Sequence, residues 1–477
     1  MSNIPFNRTK IVATVGPASN SKKVLQRLIK AGADVFRLNF SHGSHEDHLT
    51  VLNYIRELNE ELETNICVLQ DLQGPKIRVN EVRPGVKLKA GHEFILTTDP
   101  AEGDEFKAST SYKNLPKDVK TKDRILIDDG KIELRVKEVR NNDVITKVVH
   151  GGKLKSRKGI NLPQTAVSAP SMTEKDHTDL LFGIENDVEW IALSFVRSAK
   201  DIISLKKIIR DKGKETKIIA KIEKPEAVEN IDEIIAAADG IMVARGDLGV
   251  EIMLEDVPII QKQIVIKCKN AAKPVIIATQ MMESMIENPR PTRAETNDVA
   301  NAVLDGADAL MLSGETAVGE FPHKVIESMV RTIASVENQS QRIYYNHYKP
   351  TDKKSVVYFN DTVILNACQL AEASEATAIT GMTHKGYGAF KLASHRPKAH
   401  IFIFCAYKPF LKTMNLLWGV RGIYYNSTVS TDATISDLER ILKEKGYVGK
   451  GDVFISTASM PIHEGGRTNM IKMNQVE

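Results

Sequence analysis

The sequence predicts an α/β protein whose centre is a closed (β/α)8 barrel. Three observations predict it. Eight short apolar runs recur, and most are followed by a helical pattern. Those runs carry polar or charged residues at their carboxyl ends. The alternation breaks after the third run, where a strand-rich stretch intervenes, and again after Val336, where a second α/β pattern begins. Parallel strands joined by helices leave their carboxyl ends on one rim, and barrels of this class carry their chemistry there.

In chain order the runs are TKIVATVG, DVFRLNF, NICVLQD, VEWIALSF, KIIAKIE, GIMVARG, PVIIATQ and ALMLSGE. Arg37, Asn39 and Ser41 follow the second, and Asp71 ends the third. Ser194 ends the fourth, Lys221 and Glu223 the fifth, and Arg245 with Asp247 the sixth. Thr279 and Gln280 end the seventh, and Ser313 and Glu315 the eighth. Chance seldom places polar groups at the same end of so many apolar strands.

The stretch from Lys217 to Glu251 is the most informative. It reads as one βαβ unit, with Pro225 opening the helix, where its missing N–H costs nothing. Val228, Ile231, Ile234 and Ile235 give that single helix its apolar stripe. Lys221, Glu223 and Asp247 then meet at one rim. Two carboxylates beside a lysine fit a divalent metal next to a phosphate or carboxylate. For these residues alone, the alternative is a surface salt-bridge cluster.

Between Gln73 and about Ser168 the pattern is strand-like: IRVN, VKLKAG, HEFILTT, DRILIDDG, KIELRVKEV and DVITKVVHGG, spaced by Gly and Asp-Gly turns. This reads as an inserted β domain. Its exit, GGKLKSRKGINLP, is basic and rich in glycine, which suits polyphosphate and equally suits a solvated loop. Beyond Val336, a polar segment from Gln339 to Ser355 leads to a helix (Thr362 to Ser374), the strand ATAITGM, a helix (Gly388 to His395), the strand HIFIFCA, and later GIYYN and DVFISTA. The expected units are a barrel over 1–72 and 169–338, an inserted β lid over 73–168, and a C-terminal α/β domain over 339–477.

Composition narrows the function classes. The chain has 477 residues, 42% of them hydrophobic, enough for several sizeable cores. Lys plus Arg number 65 against 61 for Asp plus Glu; a net charge of +4 on this length argues against nucleic acid or membrane as partner. Cys67, Cys268, Cys368 and Cys405 form no CxxC pair and read as core residues in a reducing compartment. The N-terminus has no signal-type apolar region, and no run approaches the ~18 apolar residues of a membrane span. A cytoplasmic protein is expected.

The motifs FRLNFSHG, QDLQGPKIR, SRKGINLP, IALSFVR, AKIEKPEAV, VARGDLGVE, ATQMMESMI, PTRAETNDVANAVLDGADALMLSGETAVGEFP and GGRTNM, in this order, resemble pyruvate kinase. They cover the barrel and both edges of the insert, and the likeness is weaker in the C-terminal domain. The resemblance implies a TIM barrel with an inserted β-barrel-like lid and a C-terminal α/β domain, assembled as a homotetramer. It also implies transfer of the phosphoryl group of phosphoenolpyruvate to ADP, the last step of glycolysis.

Phosphoryl transfer is mostly positioning and charge neutralisation, and the residues at the rim can be assigned accordingly. Glu223 and Asp247 hold Mg2+, with Mn2+ as a substitute. Gly246 admits backbone close to the substrate carboxylate, and the N–H groups around Asp247 can donate to it. Lys221 and Arg37 are the cations for the phosphoryl group. Thr279 and Ser313, with Glu315, are candidates for returning a proton to the enolate; the same hydroxyls could equally cap backbone. Arg78 and Lys158 at the two hinges of the lid, with Asn39, are the nucleotide candidates, and closing the lid would bring the hinge cations over the barrel mouth and exclude water. There is no GxxxxGKS loop.

Two readings concern regulation. Family members that need potassium have a glutamate after the Gly-Pro of the third-strand motif. Here the segment is Asp71-Leu72-Gln73-Gly74-Pro75-Lys76, so the resemblance is to the lysine-type subgroup, in which K+ is not required. Lys76 would substitute for the monovalent cation near Asn39, Ser41 and Asp71. A sugar-phosphate or nucleotide effector is expected at the C-terminal domain, with Thr380, Thr383, Lys385 and glycine amides of TGMTHKGYGAF as phosphate donors. Fewer hydroxyls there than in activated relatives imply weak or absent response to fructose 1,6-bisphosphate. Two competing functions remain at this level: a Mg-dependent barrel lyase or aldolase acting on pyruvate-like enolates, and a non-catalytic scaffold.

Overall fold

In the computed structural model, which describes residues 4–477 except 164, 166, 169, 351, 384–385, 428–429 and 461–465, the eight predicted runs close into a parallel barrel. The chain lays down β1 (Lys10–Val15), β2 (Val35–Asn39) and β3 (Cys67–Asp71). It then leaves the barrel for β4 (Lys87–Leu88), β5 (Glu93–Thr97), β6 (Lys107–Ser109), β7 (Arg124–Ile127), β8 (Ile132–Arg140), β9 (Asp143–His150), β10 (Gly152–Lys153) and β11 (Ile160–Asn161). It returns with β12 (Trp190–Leu193), β13 (Lys217–Ile222), β14 (Gly240–Ala244), β15 (Val275–Ala278) and β16 (Ala309–Leu312). The order around the barrel is β1-β16-β15-β14-β13-β12-β3-β2.

The near-continuous apolar runs follow from burial on both faces. Val12, Val35, Leu69, Trp190, Ala192, Ile219, Met242, Ile276 and Met311 fill the barrel interior. Their chain neighbours, including Ile11, Phe36, Val68, Ile191, Ile218, Ile241, Ile277 and Leu310, pack outward against the helices. The period of two therefore fixes what crowns the interior, because residues two positions beyond an interior side chain share its direction. Val12 leads to Thr14, Val35 to Arg37, Leu69 to Asp71, Ala192 to Ser194, Ile219 to Lys221 and Glu223, and Met311 to Ser313.

The helix expected after β13 is two helices, Pro225–Glu229 and Ile231–Ala237. Asn230, at φ −94 and ψ 19, breaks it, and its side-chain amide donates to Arg197 O at 3.0 Å. An asparagine that can bond outside the helix competes with the ladder at its own position. The stripe survives, since Ile231, Ile234 and Ile235 are buried.

The insert forms a six-stranded sheet, β11-β7-β8-β9-β5-β6, and a two-stranded ribbon, β10-β4. Arg78 pairs with Gly159 beside β11, and Val79 pairs with Thr110 beside β6, so the short segment 78–79 joins the two edges of the sheet. Its own core includes Phe94, Leu96, Ile125, Ile127, Leu134 and Val136.

The last sheet runs β19 (Val420–Tyr424), β18 (His400–Cys405), β17 (Ala378–Met382), β20 (Val453–Ala458), β21 (Met470–Gln475). The first four are parallel, and β21 is antiparallel on β20. β21 escapes the sequence pattern because it is an edge strand, MIKMNQ, with no fully buried residue. This sheet's unit docks on the amino-terminal end of the barrel. Leu416 joins the interior barrel cluster. Trp190 Nε1 donates to Thr413 O at 3.1 Å, Lys10 Nζ to Val420 O at 3.0 Å, and Arg396 makes two 2.9 Å bonds to Asp308. No described helix is long and apolar enough to cross a membrane. The four cysteines are buried and unpaired.

Candidate active site

The crown of polar side chains at the carboxyl ends forms one connected network. Lys221 Nζ lies 2.8 Å from Ser194 Oγ, 2.9 Å from Glu223 Oε1 and 3.2 Å from Asp71 Oδ1. Asp71 Oδ2 accepts from Arg37 Nε at 2.6 Å, and Arg37 Nη1 donates to Thr14 Oγ1 at 3.0 Å. The structure thus brings Arg37, Asp71, Lys221 and Glu223 together from β2, β3 and β13. Thr14, on β1, is a partner the sequence reading did not single out, although its position two residues beyond Val12 would have identified it.

Burial sets the electrostatics. It pulls the Lys221 ammonium towards neutrality, but Asp71 and Glu223 outweigh it and hold its pKa above the usual lysine value. Burial pushes Asp71 up, yet Lys221 and Arg37 win and keep it below the usual carboxylate range. Glu223 is raised, by burial and by the charge of Asp247. A buried carboxylate that a second carboxylate disfavours is a place where a cation is stabilised. Phe195, in the left-handed region at φ 54, turns its backbone N–H onto Glu223 Oε2 at 2.8 Å. A non-glycine residue held there costs about 1–3 kcal/mol, sustained by the surrounding contacts.

Asp247 lies in the first turn of a short helix, Arg245–Glu251, rather than in an extended strand end. Gly246 N donates to Thr279 Oγ1 at 2.7 Å. A Cβ at Gly246 would fall 3.3 Å from that oxygen, so this close approach favours glycine. Thr279 has φ 71, and its hydroxyl also donates to Ala278 O at 2.6 Å. Arg245 clasps Asp298 with two 2.7 Å bonds and donates to Thr279 O at 2.8 Å. Both carboxylate oxygens of Glu315 accept backbone N–H groups, from Ser313 at 2.7 Å and Met282 at 3.2 Å. Glu315 is thereby a loop-holding group, and the Thr279 hydroxyl is already engaged twice.

A cleft opens between barrel and insert, lined by Lys76, Ile77, Ile160, Asn161, Phe195, Lys224 and Asp247 among others. Arg78 and Lys158 sit next to it on adjoining segments, with Val79 N donating to Lys158 O at 2.9 Å. Lys158 pairs with Asp128 at 2.7 Å. Asn39 and Ser41 are joined by a 3.1 Å bond from Ser41 N to Asn39 Oδ1. Lys76 Nζ lies 4.0 Å from Asp247 Oδ1. The expected neighbour Asp71 is instead held by Arg37 and Lys221, so Lys76 approaches the site from the opposite carboxylate. Glu251, Lys224 and Asn161 form a further polar group that sequence reading missed, because it places Arg245 and Asp247 at a strand end and does not foresee the helix that carries Glu251.

Among the described residues no three His, Cys, Asp or Glu side chains cluster as a metal cage. Glu223 and Asp247 nevertheless fit a hard cation that takes one or two carboxylates and completes its shell with substrate oxygens and water. Their mutual repulsion is the feature that such an ion would relieve.

A family model described as pyruvate kinase, barrel domain, matches residues 6–326, and one described as pyruvate kinase, alpha/beta domain, matches residues 361–474. The chain is 43% identical to a pyruvate kinase of Corynebacterium glutamicum over 468 residues, covering 98% of this chain and 97% of that one. It is 40% identical to a pyruvate kinase of Clostridium acetobutylicum over 479 residues, covering 99% and 100%. It is 42% identical to pyruvate kinase 2 of a Synechocystis strain, covering 98% and 79%. A crystal structure of a pyruvate kinase from Cryptosporidium parvum superposes with a TM-score of 0.91 at 35% identity, covering 99% of this chain and 96% of that one. A closed barrel crowned by a lysine between two carboxylates and these full-length likenesses agree: the chain belongs to the pyruvate kinase family, the phosphotransferases that turn phosphoenolpyruvate and ADP into pyruvate and ATP.

Proposed function

We propose that the crown of the barrel is the catalytic site, with roles divided as follows. The observation that carries this reading is the Lys221 ammonium, charged despite burial and fixed between Asp71, Glu223 and Ser194. Lys221 and Arg37 neutralise the phosphoryl group as it moves between oxygens. Preorganised charges need no reorganisation during the reaction. Gly246, Asp247 and Thr279 receive the carboxylate end of the substrate, the helix amino end at Arg245–Glu251 offering backbone N–H groups. Glu223 and Asp247 hold the divalent ion that the family uses, Mg2+ in the first instance; bound there, it supplies charge neutralisation for the phosphoryl oxygens. Arg78, Lys158 and Asn39 bind the nucleotide phosphates, and lid closure excludes water. Ser313 has a hydroxyl less committed than that of Thr279 and is the better proton donor to the enolate.

Lys76 supplies in cis the positive charge that a monovalent cation would bring, from the Asp247 side of the cleft. We further read the chain as a cytoplasmic homotetramer with units over 1–72 with 169–338, 73–168 and 339–477. An effector phosphate would bind at the C-terminal domain. Thr380 is not one of its donors: it is 1% exposed and its hydroxyl bonds Ser456 Oγ at 3.0 Å. Thr383 Oγ1 accepts from Gly386 N at 2.8 Å, and Lys385 lies outside the described residues.

The direct test of the site reading is formation of ATP from phosphoenolpyruvate and ADP by the purified chain and by its Lys221→Met variant. Comparable rates in the two would overturn the assignment.

A further inference from the structure

Glu251 is nearly inaccessible, with its side chain 1% exposed, yet it belongs to none of the roles above. Its Oε1 accepts from two donors at once, Lys224 Nζ at 2.7 Å and Asn161 Nδ2 at 2.8 Å. Its Oε2 is buried without a hydrogen-bond partner among the described residues. A half-satisfied buried carboxylate is costly, so the contacts it does make warrant an account.

Those contacts tie three segments together. Lys224 is the residue after Glu223. Asn161 belongs to β11, the returning strand of the insert, paired there with Leu126 of β7. Glu251 itself ends the helix Arg245–Glu251, four residues after Asp247, so the two carboxylates share one helix face a turn apart. Asp247 meets Lys76 on the outgoing segment of the insert. A single short helix therefore touches both hinges of the lid with two acidic groups. Asn161, Lys224, Asp247 and Lys76 all line the same cleft.

We infer that Glu251 is a positioning residue that latches the returning strand of the lid to the loop and helix carrying Glu223 and Asp247. Seating the lid gives the Glu251 carboxylate its second donor and fixes the helix. Lifting the lid leaves that carboxylate with Lys224 alone and frees the helix to shift. Nucleotide-driven closure and metal-pair geometry are thus one event. The inference rests on reading Glu223 and Asp247 as the metal pair.

The experiment is steady-state kinetics with Mg2+ and ADP varied, on Glu251→Gln, Asn161→Ala, the double variant and Asp247→Asn, each checked for folding by circular dichroism and melting. Glu251→Gln should raise the half-saturating Mg2+ concentration about tenfold, and Asn161→Ala should lose nothing further in that background, as expected for partners in one network. A merely structural glutamate would lower the melting temperature and leave the Mg2+ dependence unchanged; that result, or independent additive effects of the two changes, overturns the latch. Should Glu251→Gln not fold, Asn161→Asp replaces it. A carboxylate facing Glu251 should raise the Mg2+ requirement above that of Asn161→Ala, and equal requirements overturn the latch. If Asp247→Asn shifts the Mg2+ dependence and Glu251→Gln does not, the latch fails and the metal reading stands; if Asp247→Asn has no effect, the metal reading fails.

Discussion

Lys221 and Asp71 face each other across 3.2 Å at the top of the barrel, and both remain charged although buried, because each is the other's counter-ion. Replacing Lys221 by Met removes the central cation. Turnover should fall about 10²–10³-fold, the scale of losing one preorganised charge, with a smaller change in the half-saturating phosphoenolpyruvate concentration. Stopped-flow or coupled assays at saturating substrates measure this, and a loss below fivefold contradicts the role.

Asp247→Asn should raise the Mg2+ requirement and depress turnover, since Glu223 then faces the ion without a second carboxylate. The same change removes one of the causes that hold the Glu223 pKa up, so the Glu223 carboxyl should ionise more readily. Unchanged Mg2+ dependence contradicts the metal assignment.

Turnover should be nearly equal with and without KCl at matched ionic strength in sodium-free buffer. A unit charge pair at about 4 Å is worth roughly 4 kcal/mol at an effective dielectric near 20, enough to replace an ion electrostatically. Lys76 stands at the surface of the cleft, so solvent reduces that figure. A rise of about a hundredfold on adding potassium would rule the reading out. Lys76→Glu should create a potassium requirement.

Fructose 1,6-bisphosphate should leave the half-saturating phosphoenolpyruvate concentration nearly unchanged. Thr380, one of the few hydroxyls in that turn, is buried and already bonded to Ser456. Kinetics with and without the sugar bisphosphate decide the matter; a large drop contradicts the expectation.

Burial raises the Glu189 carboxyl to about 7, with Lys412 acting against it and Val68 N donating to Oε2 at 2.8 Å. Between the ordinary value of 4.5 and about 7 the folded chain keeps a proton that the unfolded chain has released. Its contribution therefore lowers stability as pH rises through that window and levels off above it. Glu189→Gln should flatten this slope and raise the melting temperature at pH 8 relative to the parent, by an amount equivalent to no more than about 3 kcal/mol. An unchanged pH profile of melting contradicts this.

The barrel was legible because its signal is local and repeated. Each strand is a short apolar run, and each ends on the polar group that the interior parity then aims at the mouth. Arg37, Asp71, Lys221 and Glu223 could be placed from that rule. What escaped depended on conformations that no period announces. Asn230 ends a helix by bonding outside it, and Asp247 and Glu251 share a face only because residues 245–251 coil into a helix. The neighbours of Lys76 also escaped, since the reach of a long side chain across a hinge is decided by the fold. Edge strand β21, without a buried side, has no pattern to read.

The C-terminal unit plugs the interior of the barrel at its foot. Trp190 hands its indole N–H to Thr413, Leu416 enters the interior cluster, and Lys10 and Asp308 find Val420 O and Arg396 across the junction. A chain cut near residue 339 would uncap an apolar bore and leave the buried Asp308 without Arg396, while Lys10 would keep Asp34. Truncations placed at that change of sequence pattern would therefore expose the bore to water.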